Sequence, residues 1–147
     1  MTATEPRRVP PQLLREDRVS YTPTAHSVTM ARQRAARLVG QWGHPLSAAD
    51  AGLLVSELTT NALLHGAVRG RLIRVHLMLT AALLRIEVTD PRGERLPHLR
   101  RIAPDDPYGR GLIIVDRIAD DWGVEQCTVG KAVFAELNLR RNLPAPV

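Results

Sequence analysis

The sequence has very few of the residues on which several classes of protein depend. Cys127 is the single cysteine in 147 residues, so no internal disulfide can form and no Cys/His cluster has the spacing of zinc ligands. The aromatic residues are only two Trp, two Tyr and one Phe, whereas nucleic-acid binders commonly interleave aromatic with basic side chains. We therefore expect a protein of a reducing compartment that does not contact nucleic acid directly.

Long apolar runs are also missing. No stretch approaches the roughly 20 apolar residues of a membrane span, and the N-terminal residues lack the apolar segment of a signal peptide. The sequence therefore predicts a soluble, cytoplasmic protein without a membrane partner.

What is present fits one globular domain with two tails. The composition is 44% hydrophobic and 24% charged, and the formal net charge of +5 favours anionic partners without specifying one. Prolines and arginines without periodicity predict a flexible tail over residues 1–15, and a short Pro-rich tail is expected over 141–147. Residues 16–140 form the expected domain.

Hydrophobic periodicity predicts an α+β fold. The helical period predicts helices over 24–42, 49–66 and 112–119, and alternation predicts strands over 18–22, 72–79, 83–90, 122–128 and 132–139. This order predicts a two-layer α/β sandwich, with helices on one face of a mixed, largely antiparallel sheet. Residues 91–110 contain four prolines and no periodicity, and a connection of this length is usually functional or disordered.

The helix predicted over 49–66 carries the first candidate site. Glu57 and Asn61 stand four residues apart, so they project together from the margin of its apolar stripe. Ser47 is the predicted N-cap and Gly66 the predicted C-cap. Taken alone, this pair is more typical of a solvated helix edge, because a two-residue pattern often occurs by chance.

Two further candidates follow. Asp90 ends a core-like strand, so it is either a turn former before Pro91 or an acceptor directed into a cleft. Gly109 and Gly111 open a helix, where backbone N–H groups and the helix dipole favour a phosphate, although taken alone they are better explained by a hinge and a first helical turn.

Four blocks in one order carry a resemblance. E-L-T-T-N-A-L-L-H-G, V-T-D-P-R-G, G-R-G-L-I-I-V-D-R-I-A-D-D-W-G-V and G-K-A-V-F-A-E-L follow each other between residues 57 and 137. Together they resemble the GHKL (Bergerat-fold) ATPases, and within them the bacterial anti-sigma factor serine/threonine protein kinases. The resemblance covers about residues 18–139.

The resemblance implies a role for each matching residue. Glu57 corresponds to the general base, and Asn61 to the amide that ligates Mg²⁺. Asp90 corresponds to the carboxylate that accepts from the exocyclic amine of adenine, so ATP and ADP are expected to bind and GTP is not. The remaining matches are Gly93, which shapes the turn after Asp90, and Gly109, Arg110, Gly111 and Leu112, which meet the phosphates. The segment between them corresponds to a mobile ATP lid.

The implied function is that of an anti-sigma factor. Such a protein sequesters a sigma factor and uses ATP and Mg²⁺ to phosphorylate an anti-anti-sigma antagonist of the STAS type, and homodimers are common in the family. The alternative is an ATP-binding module that sequesters its partner without kinase activity.

Two departures from the family pattern support that alternative. Arg95 replaces a second glycine after the adenine block, and Ala132 replaces a threonine near the adenine, a contact for which Thr89 or water could substitute. Lys131 lies at the predicted turn between the last two strands, where basic residues are usually only solvated.

Overall fold

The computed structural model describes residues 12–91, 107–127 and 130–142. Within these residues the regular elements are β1 (Arg15–Tyr21), α1 (Ala25–Gln41), α2 (Ala48–Asn61), β2 (Ile73–Leu79), β3 (Leu83–Asp90), α3 (Pro107–Ile118), β4 (Asp121–Gln126) and β5 (Lys131–Asn138). Short 3-10 turns cover Pro45–Ser47 and Leu139–Asn142, and a π-helical turn covers Ala62–Gly66.

The strands form one open sheet with the order β1-β2-β3-β5-β4. The predicted α+β sandwich with a largely antiparallel sheet is confirmed, and every pairing between the described strands is antiparallel. The reason is the position of β5. It inserts between β3 and β4, which run in the same direction and would otherwise have paired in parallel.

Both predicted hairpins are present. The first joins β2 and β3 and the second joins β4 and β5, each with the expected alternation of buried and more exposed residues on its inner strand. β1 begins three residues earlier than its alternation predicts, because it pairs with β2 along its whole length from Arg15 to Tyr21. Such pairing depends on the partner strand and not on the local sequence.

The core lies between the sheet and the helices, with α2 packed between α1 and α3. Small residues on α1 (Ala31, Ala35) allow close approach to α2, whose Leu54, Val55 and Leu58 are almost completely buried. The predicted cap of α1 is confirmed, because the Thr24 hydroxyl accepts a hydrogen bond from the Ser27 N–H at 3.1 Å.

The predicted start of the second helix is confirmed, since Ser47 is the N-cap residue of α2, but neither predicted cap has the expected geometry. Ser47 makes no side-chain capping bond to α2, because it is the buried last residue of the preceding 3-10 turn and has helical dihedral angles itself. Gly66 is not a left-handed C-cap, since positive φ occurs only at Gly43, Gly70 and Gly130 among the glycines in the described residues. It ends the π-helical turn Ala62–Gly66 instead.

The sheet face opposite the helices carries a charged cluster. The Arg85 guanidinium contacts Glu87 (2.8 Å), Glu125 (2.9 Å) and Glu136 (3.4 Å), and lies 4.0 Å from the centre of the Phe134 ring. In the part of the chain that the structure describes, no helix has the length and apolarity needed to cross a bilayer.

Candidate nucleotide site

The first candidate pair lies where α2 meets the sheet. Glu57 is half-buried, and burial raises the pKa of its carboxyl above the ordinary value of 4.5. Asn61, one turn later, is the last residue of α2 and is only 9% exposed. A solvated helix edge would leave both residues in water, so the burial favours a cleft at this end of α2.

The π-helical turn Ala62–Gly66 continues directly from Asn61. Such turns are rare and occur often at functional sites. Here the turn brings Gly66 against the end of β3, because a Cβ atom on Gly66 would overlap the Asp90 carboxylate. A glycine at position 66 is therefore required for the close approach to Asp90. The predicted role of Gly66 as a helix cap did not include this requirement.

Asp90 is the last residue of β3 and is 3% exposed. A residue that only forms a turn before a proline would be exposed to solvent. The burial of Asp90 therefore favours the alternative, an acceptor that faces a cleft. Asp90 pairs in register with Lys131, the first residue of β5, and the Lys131 Nζ lies 3.3 Å from Asp90 Oδ2.

The burial of Lys131 contradicts the expectation of a solvated turn residue, since the residue is only 2% exposed. Gly130 makes this position possible. It has a φ of 88°, and a Cβ atom there would overlap the Asp90 carbonyl oxygen, so only glycine lets the turn before β5 close on the end of β3. The sequence contained one usable signal, since strand alternation places Lys131 on the same face as the core residues Val133 and Ala135.

The same alternation corrects the expectation about Ala132. Ala132 pairs with Thr89, and both lie on the sheet face opposite Asp90. A threonine at 132 would therefore not have faced Asp90, and Thr89 cannot substitute for such a contact. The residue of β5 opposite Asp90 is Lys131.

These side chains enclose one small pocket between α2 and the sheet. It is lined by Leu58, Asn61, Ala62, His65, Val88, Asp90, Lys131 and Val133. Its cavity volume is about 10 Å³, which is room for at most one water molecule. Asn61 and Asp90, separated by 29 positions in the sequence, thus line the same pocket.

A second, larger pocket adjoins Asp90. Its cavity volume is about 260 Å³, and it is lined by Ser20, Arg71, Leu72, Arg74, Thr89, Asp90 and Pro91. Its two arginines make it a basic surface, and Asp90 is the one residue that it shares with the lining of the small pocket.

The four residues predicted to meet the phosphates all lie in the first half of α3. α3 already begins at Pro107, so Gly109, Arg110 and Gly111 lie in its first turns and not in a turn that precedes it. Leu112 is 1% exposed, so its side chain belongs to the interior and is not available to a ligand. The predicted site residue Gly93 lies outside the described residues, and so do Arg95, where the sequence departs from the family pattern, and most of the predicted lid.

The site contains the donor types that a magnesium nucleotide requires. The described residues contain no cluster of three or more His, Cys, Asp or Glu side chains that could hold a metal ion alone. Mg²⁺ needs no such cluster, because it usually keeps few protein ligands and is held largely by the substrate phosphates. The amide oxygen of Asn61 fits that arrangement, and the Asp90 carboxylate fits the amine of adenine.

Comparison with known proteins gives the family context. A family model described as a histidine kinase-like ATPase domain matches residues 21–136. A comparison with curated proteins finds no match.

Two solved structures have a similar fold. One contains the RsbU and RsbW domains of Rv1364c from Mycobacterium tuberculosis, with a TM-score of 0.65 and 16% sequence identity, covering 84% of this chain and 32% of that chain. The other is the histidine kinase domain of the blue-light activated histidine kinase of Erythrobacter litoralis EL346, with a TM-score of 0.47 and 19% identity, covering 78% of this chain and 62% of that chain. This chain thus spans about a third of the first structure and under two thirds of the second.

Proposed function

Because the chain belongs to the histidine kinase-like ATPase domain family, we propose that it binds ATP with Mg²⁺ and transfers the γ-phosphoryl group to a serine or threonine of a partner protein. The observation that carries this proposal is the convergence of Asn61 and Asp90 on one pocket, with the half-buried Glu57 one turn before Asn61.

Each residue has a separate task in this proposal. Asp90 accepts from the exocyclic amine of adenine, and Asn61 provides a ligand to the metal at the other side of the pocket. ATP supplies the phosphoryl group and Mg²⁺ neutralises the charge on its phosphates. Gly109 lies in the first turn of α3, where the backbone N–H groups have no partner within the helix and anions are favoured.

Glu57 is the proposed general base. A base must be within reach of the attacking hydroxyl and have a pKa closer to neutrality than that of a free carboxyl. Partial burial raises the pKa of Glu57 in that direction, and its place beside Asn61 is close to the phosphates in the proposed arrangement. Glu57 would accept the hydroxyl proton while the hydroxyl oxygen bonds to the γ-phosphorus, the bond from that phosphorus to the bridging oxygen breaks, and ADP leaves.

The proposed partners are a sigma factor and its STAS-type antagonist. Two observations support them, namely the order of the four sequence blocks and a fold shared with a structure that contains an RsbW domain. Phosphorylation of the antagonist would release it and leave the protein to sequester the sigma factor. Homodimer formation is part of this proposal.

A sequestering module without kinase activity is the second candidate. The observation that favours it is the small cavity, whose Asp90 is already paired with Lys131. In that function the fold presents a partner-binding surface, and nucleotide is bound weakly or without phosphoryl transfer.

One experiment separates these two candidates. The full chain is incubated with Mg²⁺, ATP labelled at the γ-phosphate and STAS-type proteins captured from its own cell extract. Label on a serine or threonine of the captured protein supports the kinase, with Glu57→Gln as the inactive control. Stable capture with bound ATP and no label would support the sequestering module.

A further inference from the structure

Lys131 is the only lysine of the chain, whose other basic residues are all arginines. Its side chain and that of Asp90 are both 2% exposed. Lysine is almost never fully buried unless it is paired, because removing an ammonium group from water costs several kcal/mol. A buried lysine opposite the proposed adenine acceptor therefore requires an explanation.

The pair presents two complementary groups side by side. Asp90 is an acceptor, and Lys131 is a donor only. Their charged atoms lie 3.3 Å apart in neighbouring strands, on the same wall of the small pocket. Adenine presents the converse pattern along one edge, where the exocyclic amine donates and the adjacent ring nitrogen N1 accepts.

We propose that Lys131 is a specificity-determining residue of the nucleotide site, which donates to N1 of adenine while Asp90 accepts from the exocyclic amine. This inference rests on the proposed binding of ATP. It assigns to Lys131 a contact with the base, in addition to its ion pair with Asp90.

The cavity explains why Lys131 has to move. A space of about 10 Å³ cannot admit a purine, so at least one lining side chain changes position when the base enters. Lys131 has the longest and most flexible side chain of the lining residues. Its ammonium contacts the Asp90 carboxylate, the group that accepts from the exocyclic amine in the proposed arrangement. A shift of Nζ from Asp90 towards N1 opens the pocket and preserves a charged hydrogen bond.

Guanine reverses both contacts in the same orientation. Its exocyclic oxygen faces the Asp90 carboxylate, and its N1–H faces the Lys131 ammonium, so two acceptors and two donors oppose each other. A site that leaves buried polar groups unpaired rejects the wrong ligand strongly. Lys131 therefore adds to the discrimination that Asp90 provides.

The first test uses an analogue and needs no variant. The compound 1-deaza-ATP, in which N1 is replaced by C–H, keeps the exocyclic amine but cannot accept from Lys131. We expect calorimetric titration to show that it binds about 10- to 100-fold more weakly than ATP, as for the loss of a hydrogen bond to a charged group. Equal affinity for the two nucleotides would overturn the proposal.

Substitution at Lys131 completes a thermodynamic cycle. Lys131→Met should lose the preference for ATP over 1-deaza-ATP, to within about twofold, and should discriminate less against GTP. Arg37→Met is the matched control, since it removes one positive charge from the exposed face of α1 and should keep the full preference. A Lys131→Met protein that retains the preference would also overturn the proposal.

Because Lys131→Met leaves Asp90 buried without its cation, folding of this variant is checked by circular dichroism. A second measurement on the parent chain avoids this risk. Labelling with ¹⁵N at lysine Nζ gives a single ammonium signal, because the chain has one lysine. We expect ATP to shift this signal, and 1-deaza-ATP at saturation to shift it differently.

The results also separate this inference from the proposed function. If neither ATP nor ADP binds, both proposals are wrong. If ATP binds and 1-deaza-ATP binds equally well with the same lysine signal, only the role of Lys131 is wrong, and Lys131 is solely a counterion of Asp90.

Discussion

At the residue scale, Glu57 is held in conditions that oppose its charge. Partial burial raises the pKa of its carboxyl, so the protonated form is favoured more in the folded state than in the unfolded chain. The stability linked to this group is fully present below its unfolded pKa of about 4.5 and is lost as the pH rises through the folded pKa. At neutral pH the charged Glu57 therefore destabilises the fold, which is typical of a residue retained for chemistry.

Glu57→Gln should therefore separate stability from activity. Phosphoryl transfer to the antagonist should fall about 10²- to 10⁴-fold, the usual cost of removing a general base, while affinity for ATP stays unchanged. Urea unfolding at neutral pH should show the variant at least as stable as the parent. Any gain in the free energy of unfolding of the variant should be smaller at a pH below the folded pKa of Glu57. Asp50→Asn, in the first turn of the same helix, is the control that should keep its activity. An active Glu57→Gln protein would show that Glu57 is only a helix edge.

Asn61 should respond differently because its proposed ligand is present in the ground state. Asn61→Ala should weaken ATP binding about tenfold or more when Mg²⁺ is present, and should reduce phosphoryl transfer with it. The control is internal, since titrations in a chelator should give the same ATP affinity for parent and variant. A loss of affinity that does not depend on Mg²⁺ would indicate that Asn61 contacts the nucleotide itself or supports the pocket.

The residue scale also shows where prediction from the sequence stops. Glu57 and Asn61 could be paired because helical spacing is local. Asp90 could be placed at the end of a strand because apolar and polar residues alternate clearly along that strand. The ion pair of Asp90 with Lys131 could not be predicted, because it depends on the register of β5 against β3, and an error of one residue selected Ala132 instead.

At the element scale, the decisive feature is the π-helical turn after α2. Its sequence looks like one continuous helix with a glycine cap, and the prediction treated it so. The structure differs because Gly66 packs directly against the Asp90 carboxylate. Asp90 lies 24 positions later in the chain, at the end of β3. Local signals predict a helix end, whereas this tertiary contact decides its geometry.

Gly66→Ala tests the importance of this contact. The added methyl group would overlap Asp90, so we expect a loss of about 1–3 kcal/mol in the free energy of unfolding, as for overpacking, together with weaker ATP binding. Gly40→Ala in α1 is the matched control, because a Cβ atom there meets nothing within 4 Å and should stabilise the helix by about 0.5–1 kcal/mol. Equal effects of the two substitutions would contradict the proposed close approach.

At the scale of the whole molecule, the order of the strands brings the site together. β5 lies between β3 and β4, so the last hairpin brings Lys131 to the end of β3, next to the C-terminal end of α2. The layered α+β architecture could be predicted from periodicity, because both hairpins and all three described helices have amphipathic patterns. The fully antiparallel order could not, since nothing local specifies which strand a hairpin joins.

This architecture couples nucleotide binding to global stability. A ligand that binds only the folded state at 100 times its Kd stabilises that state by about 2.7 kcal/mol, which for a chain of this size corresponds to a rise in Tm of roughly 5–10 °C. We expect ATP and ADP with Mg²⁺ to produce such a rise in calorimetry. GTP at the same concentration should produce little, because its carbonyl and N1–H oppose Asp90 and Lys131. MgCl₂ alone is the control and should leave Tm unchanged. An equal rise with GTP would contradict the assignment of the small pocket to adenine, even if the fold and the family are as described.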